Sequence, residues 1–217
     1  MGSKVDVSEV GPSIGAVDWN RLAASYGRQV WLERSSIGSL LDMIEPGPGD
    51  RLLDAGTGTG ELLRALAERP LRPDRADGID ASQAMLRQVA PLPGGWTLQE
   101  GRGEALPFED ATFDLVTASW VLHILEPETR QKVISEVRRV LKPGGRFGAI
   151  TIAPPQSWIA RLLTGPARAA ADRWPSAFIG LSPFDPEPEL LEAGFVAINR
   201  KRDFRGYPAL CVTARRS

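Results

Sequence analysis

Three alternate glycines, Gly56, Gly58 and Gly60, stand directly after the apolar run Leu52-Leu53-Asp54-Ala55 and directly before Glu61-Leu62-Leu63. The order reads as a strand, a tight turn and the start of a helix. A turn of this kind needs backbone dihedrals, and a closeness of approach to a ligand, that a Cβ would forbid. It is expected to leave successive amide N–H groups facing outward at a positive helix end, which suits a carboxylate, a phosphate or a sugar hydroxyl. The stretch predicts a nucleotide-like ligand. A glycine-rich turn with no ligand is the alternative, and Asp54 together with a second acidic residue, each where a ligand would need it, speaks against that.

The second acidic residue is Asp80, in Asp77-Gly78-Ile79-Asp80-Ala81-Ser82, another strand end turning into a helix. An acidic residue about 20 positions beyond the glycine turn, at the tip of the next strand, is the usual partner of ribose hydroxyls. Asp80 can instead cap the following helix, but Ser82 serves that purpose as well and leaves Asp80 for the ligand. The dinucleotide fingerprint calls for a glycine three residues after its second one, and that position is Glu61. A glutamate aimed at a pyrophosphate is repulsive, so NAD is disfavoured.

The elements that must hold these residues follow from periodicity and punctuation. Residues 1–16 mix Gly, Pro and Ser without periodicity and are expected to be loose. Trp19, Leu22, Ala23 and Tyr26 recur at helical spacing, and a second helix is expected over 35–44, stopped by Glu45-Pro46-Gly47-Pro48-Gly49. Helices are predicted over 61–69, with Leu62, Leu63 and Leu66 facing a sheet, and over 82–90; strands over 76–80, 96–99 and 112–118. Residues 128–141 have an amphipathic helical pattern that Lys142-Pro143-Gly144-Gly145 is expected to end, with a fifth strand over 146–152. Beyond lie an alanine- and arginine-rich helix over 156–173, a short helix over 187–193 and two strands, 195–202 and 207–214, joined as a hairpin.

Bulk properties bound the rest. The chain has 217 residues, 42% hydrophobic and 24% charged, which fits one α/β domain able to bury a core. Its net charge of -1 gives no basic field for nucleic acid, so the partner is expected to be a small molecule. No apolar run is long enough to cross a bilayer or form a signal-peptide core, and the single cysteine, Cys211, forms no intrachain disulfide; a cytoplasmic location is expected, without a membrane partner. No metal-ligand spacing occurs, and one histidine with one cysteine argues against zinc.

Four segments in order now carry a resemblance: the glycine turn; Gly78-Ile79-Asp80-Ala81-Ser82; Glu104-Ala105-Leu106-Pro107-Phe108 leading to Phe113-Asp114-Leu115-Val116; and Val140-Leu141-Lys142-Pro143-Gly144-Gly145-Arg146-Phe147. Together, over residues 52–152, they resemble the class I S-adenosylmethionine-dependent methyltransferases, in the branch of the ubiquinone and menaquinone C-methyltransferases. The resemblance implies a Rossmann-like, mostly parallel seven-stranded sheet of order 3-2-1-4-5-7-6 with its last strand antiparallel. Helices would cover both faces. It divides residues 17–217, one domain, into a helical cap (17–46), a cofactor-binding core (50–152) and substrate-side helices with a final hairpin (153–217).

The same resemblance implies S-adenosyl-L-methionine as cofactor, held by Asp54, Gly56, Thr57, Gly58 and Gly60, by Asp80, Ala81 and Met85, and by Ser119. Tyr26 and Trp31 of the cap are candidates to face the sulfonium, which aromatic faces attract. Relatives commonly carry an aspartate where Arg102 stands and use it on the adenine amino group. Arginine has no acceptor, so adenine is left to the backbone near Gly103 or to Glu104. Methyl transfer is an in-line displacement that needs positioning above all; a base is required only for a hydroxyl or protonated nitrogen. His123, a few residues beyond the fourth strand, is the candidate general base or orienting donor. Trp31, Trp120, Trp158 and Trp174 favour an apolar or aromatic acceptor. A binding subunit without methyl transfer, and an NAD-dependent oxidoreductase, are the other readings.

Overall fold

Apolar runs bounded by turn residues become a seven-stranded sheet in the computed structural model, which describes residues 30–155 and 182–217. The strands are β1 (Arg51–Ala55), β2 (Arg75–Asp80), β3 (Thr97–Glu100), β4 (Phe113–Ser119), β5 (Leu141–Ile152), β6 (Phe195–Asp203) and β7 (Ala209–Arg216). The helices are α1 (Arg34–Ile44), α2 (Glu61–Ala67), α3 (Gln83–Leu86), α4 (Pro127–Val140) and α5 (Glu187–Glu192). The sheet order is β3-β2-β1-β4-β5-β7-β6. Pairing is parallel from β3 through to β5, and β7 runs antiparallel to both its neighbours. Order and direction are those expected. Chain order reverses between β1 and β4, which pair directly, and open α/β sheets bind ligands beyond the strand ends at such a reversal.

Alternation along β1 assigns its two faces. Leu53 joins Val116 of β4 and Val133, Ile134, Val137 and Val140 of α4 in one buried cluster. Leu52 and Leu115 point the other way, into a cluster with Ile37, Leu40, Leu41 and Ile44 of α1 and Leu62, Leu63 and Leu66 of α2. Helices therefore cover both faces. The second face is closed tightly at β5: a Cβ on Gly148 would stand 3.0 Å from Ile44 Cγ2 and 3.1 Å from Leu40 Cδ1.

α4 ends at Val140, within one residue of where Lys142-Pro143-Gly144-Gly145 is expected to stop it. The chain passes straight into β5 at Leu141, whose dihedrals (φ -69°, ψ 141°) are already extended. The four residues also form a bulge that the sequence does not announce, since Phe113 pairs with Leu141 but Leu115 pairs with Arg146. The helix expected over 82–90 is only Gln83–Leu86. Of the expected cap, α1 lies within the described residues and packs on the sheet. Arg146 fastens its end by donating to the carbonyls of Ile44 (2.6 Å) and Glu45 (2.9 Å) and to both carboxylate oxygens of Asp50. Asp203, at the β6–β7 hairpin, accepts from Ser35 and Ser39 of α1 and from Arg205. Tyr26, Trp158, Trp174 and the helix expected over 156–173 lie outside the described residues.

Candidate functional site

The three glycines serve different needs. All have positive φ: 75° at Gly56, 54° at Gly58 and 79° at Gly60. A Cβ on Gly56 would sit 2.4 Å from Val121 Cγ2, and one on Gly60 would sit 2.6 Å from Val89 Cγ1. These two let the segments after β4 and after α3 close onto the turn. Gly58 has no heavy atom within 4 Å of its Cβ position, so its surface faces open space where a ligand can approach.

Four of the turn's amides are not turned outward as expected. Gly56 and Thr57 both donate to Ile79 O (2.8 and 2.9 Å), Gly60 donates to Thr57 O, and Gly58 donates to Asp80 Oδ2 at 2.8 Å. The β2 end therefore shapes the turn.

Asp54, the fourth residue of β1, is buried and accepts from Thr117 Oγ1 at 2.7 Å. Burial pushes its pKa up to about 6; the Thr117 and Thr57 hydroxyls counter this in part, and the Asp80 charge adds to it. Asp80 is also raised by burial, against the pull of the Ser82 and Gly58 amides. Each of its oxygens takes one of those amides, Oδ1 from Ser82 and Oδ2 from Gly58, both at 2.8 Å. A carboxylate has about four acceptor positions, so both oxygens keep room for a vicinal diol. Ser82 caps α3 through its own hydroxyl, accepting from Met85 N.

Asp54, Gly56, Thr57, Gly58 and Ser119 line one cavity, and Asp80, Ala81, Met85, Gly103 and Glu104 line the same one. Gly60 is not among its lining residues, because its task is contact with Val89. Tyr26 lies outside the described residues, and Trp31, 67% exposed, borders a separate groove along α2. Arg102 does not line the cavity; it pairs with Glu104, which does. Val121, Ile124 and Leu125, which follow β4 at the C-terminal edge of the sheet, form an apolar wall of the cavity, and sequence reasoning missed Glu33, Ile37 and Val133. No local pattern marks them: α1 and α4 reach the site only through packing.

The charge of the lining is one-sided. Glu33, Asp54, Glu61, Asp80 and Glu104 all border the cavity, and the described lining contains no lysine or arginine. Arg64 and Arg102 reach Glu61 and Glu104 from outside it. Such a cavity attracts cations and repels a pyrophosphate. The Ser119 hydroxyl is buried there and has no hydrogen-bond partner among the described residues, a state that costs about 1–3 kcal/mol unless a ligand satisfies it.

Beside Ser119, Trp120 has φ 62°, in the left-handed region, which for a bulky side chain costs about 1–3 kcal/mol. Its amide donates to Ile150 O at 2.8 Å, and its ring meets those of Tyr207 and His123, each at 5.9 Å between centroids. Trp120 lines the cavity; His123, buried behind it, is not among the lining residues. Two arginines hold the surrounding segments. Arg130 donates to Leu125 O and to both Glu189 oxygens, tying the cavity wall to α5. Arg139 donates to the carbonyls of Leu106 and Phe108, fixing the stretch that follows Gly103 and Glu104.

Residues 52–145 match the family model described as a methyltransferase domain. The demethylmenaquinone methyltransferase of Symbiobacterium thermophilum is 40% identical over 116 residues, 51% of this chain and 45% of the relative. The nocamycin O-methyltransferase of Saccharothrix syringae is 34% identical over 159 residues, 70% of this chain and 56% of the relative. The chain thus spans about half the length of these curated relatives. Among solved structures, a chain from the complex between the Haloferax volcanii Trm112 methyltransferase activator and its methyltransferase superposes with a TM-score of 0.71. That match has 19% identity and covers 92% of this chain and 97% of the other. Residues 52–145 are therefore a methyltransferase domain, and the sheet that carries them has the fold of the class I S-adenosylmethionine-dependent methyltransferases.

Proposed function

We propose that the chain is an S-adenosylmethionine-dependent methyltransferase acting on a small apolar or aromatic acceptor. The observation that carries this reading is a cavity bordered by a glycine turn and five carboxylates, with no cation in its described lining. A cofactor bearing an ammonium and a sulfonium suits it, and a dinucleotide does not. Asp80 would hold the ribose hydroxyls, with Ala81, Met85, Gly103 and Glu104 around the base. Asp54 and Ser119 would face the cationic end. When bound, this cofactor supplies a methyl group already activated on positively charged sulfur.

The protein's part is then to orient and to exclude water. The β4 end of the cavity, formed by Ile37, Trp120, Val121, Ile124 and Leu125, is apolar and would receive the acceptor. An aromatic acceptor fits that wall, and the names of the two relatives, a demethylmenaquinone methyltransferase and a nocamycin O-methyltransferase, support a small-molecule acceptor. His123 is proposed as a positioning residue that supports Trp120, in place of a general base.

Calorimetric titration with S-adenosylmethionine and S-adenosylhomocysteine tests the reading. Both are expected to bind the wild-type protein, and Asp80→Ala is expected to weaken both by tenfold or more, about 1.4 kcal/mol. Binding of neither ligand to the folded wild-type protein would overturn it.

A further inference from the structure

Along the sheet order, the cavity runs from the β3 and β2 ends, with Gly103, Glu104 and Asp80, past β1 and Asp54 to the β4 end, with Ser119 and Trp120. On the reading above, the sugar is fixed at Asp80, so the sulfur and its methyl group lie toward β4. Trp120 is the one aromatic side chain among the described lining residues.

Packing alone does not account for that residue. Its backbone is held in a left-handed conformation that a bulky side chain resists, and its indole N–H is buried without a hydrogen-bond partner among the described residues. A leucine would fill space there without burying a donor. What tryptophan adds is an extended π system, held in place by the rings of Tyr207 and His123. A desolvated cation is attracted to a π face more strongly than a neutral thioether is.

We infer that Trp120 is a specificity-determining residue that discriminates the sulfonium cofactor from its neutral thioether product. The discrimination favours loading of S-adenosylmethionine and release of S-adenosylhomocysteine. The inference rests on the cofactor reading proposed above, and it concerns the ratio of two affinities rather than either one.

Calorimetry with these two ligands on the wild-type protein, Trp120→Leu and Trp120→Phe tests it. Both replacements remove the indole N–H and retain a Cβ at the left-handed position, so they differ mainly in the ring. Thermal melts establish that each variant is folded. In Trp120→Leu the preference for S-adenosylmethionine over S-adenosylhomocysteine is expected to fall about threefold to thirtyfold, the affinity for S-adenosylhomocysteine losing the less of the two. Trp120→Phe is expected to restore most of the preference. An unchanged ratio in Trp120→Leu overturns the inference, as does an equal loss for both ligands or an equal fall of the ratio in both variants. If the folded wild-type protein binds neither ligand, the cofactor reading fails first and the inference falls with it; if it binds both, failure of the ratio test touches Trp120 alone.

Discussion

At the scale of single residues, Asp54 shows what a buried carboxyl in the candidate site costs in stability. Its carboxyl is buried and its pKa rises from 3.8 to about 6. A raised carboxylate pKa means that the folded protein holds the proton more tightly than the unfolded chain. The stabilising contribution is then complete below pH 3.8 and is lost as pH rises through about 6. At pH 7 the ligand-free protein carries a charged, desolvated Asp54 at a cost of about 2–3 kcal/mol. Asp54→Asn keeps an acceptor for Thr117 Oγ1 and removes the charge. It is expected to melt at higher temperature than the wild type at pH 7, with the difference closing by about pH 4, and to bind S-adenosylmethionine more weakly. Melts across that pH range check the first part and titration checks the second.

At the scale of elements, the site depends on joints between segments distant in sequence. The β6–β7 hairpin is locked to α1 at Asp203, where Ser35 Oγ (2.8 Å), Ser39 Oγ (2.9 Å) and Arg205 Nη2 (2.7 Å) all donate to Oδ2. The Arg205 guanidinium and these hydroxyls hold the Asp203 carboxyl well below the usual carboxylate range. Here the sign is opposite to that of Asp54. The contribution is present above the unfolded value near 3.8 and is lost as pH falls toward the depressed folded value. Asp203→Asn is expected to destabilise the protein by about 1–3 kcal/mol at pH 7, with a smaller difference in strong acid; urea unfolding at the two pH values measures it. Because α1 borders the cavity through Ile37, the same variant is expected to weaken cofactor binding modestly.

For the whole molecule, binding and folding are linked. A ligand that occupies a cavity assembled from β1, β2, β4 and α1 binds the folded state alone, so it stabilises by about 2.7 kcal/mol at one hundred times its dissociation constant. For a domain of this size that is a rise in melting temperature of roughly 5–10 °C. Thermal melts over an S-adenosylmethionine series are expected to show this rise in the wild type and little of it in Asp80→Ala. A flat series in the wild type would count against the proposed cofactor. Most of the fold behind that cavity is legible in order of residues. The glycine turn, Asp54 and Asp80 at strand ends, and the helical stripe Leu62, Leu63 and Leu66 all depend on local spacing, which sequence displays directly. The seven strands and their order are instead what the resemblance of four motifs implies. Only tertiary structure decided what faces the ligand. The amides of Gly56, Thr57 and Gly58 are claimed by Ile79 and Asp80, a use no local pattern announces. Lys142-Pro143-Gly144-Gly145, which reads locally only as a helix stop, is also a bulge, because strand pairing with β4 resumes at Arg146. Trp120 and Glu33 came to the cavity, and Trp31 did not, because side-chain direction at a helix entry or a strand end is set by packing across the sheet rather than by neighbours in the chain.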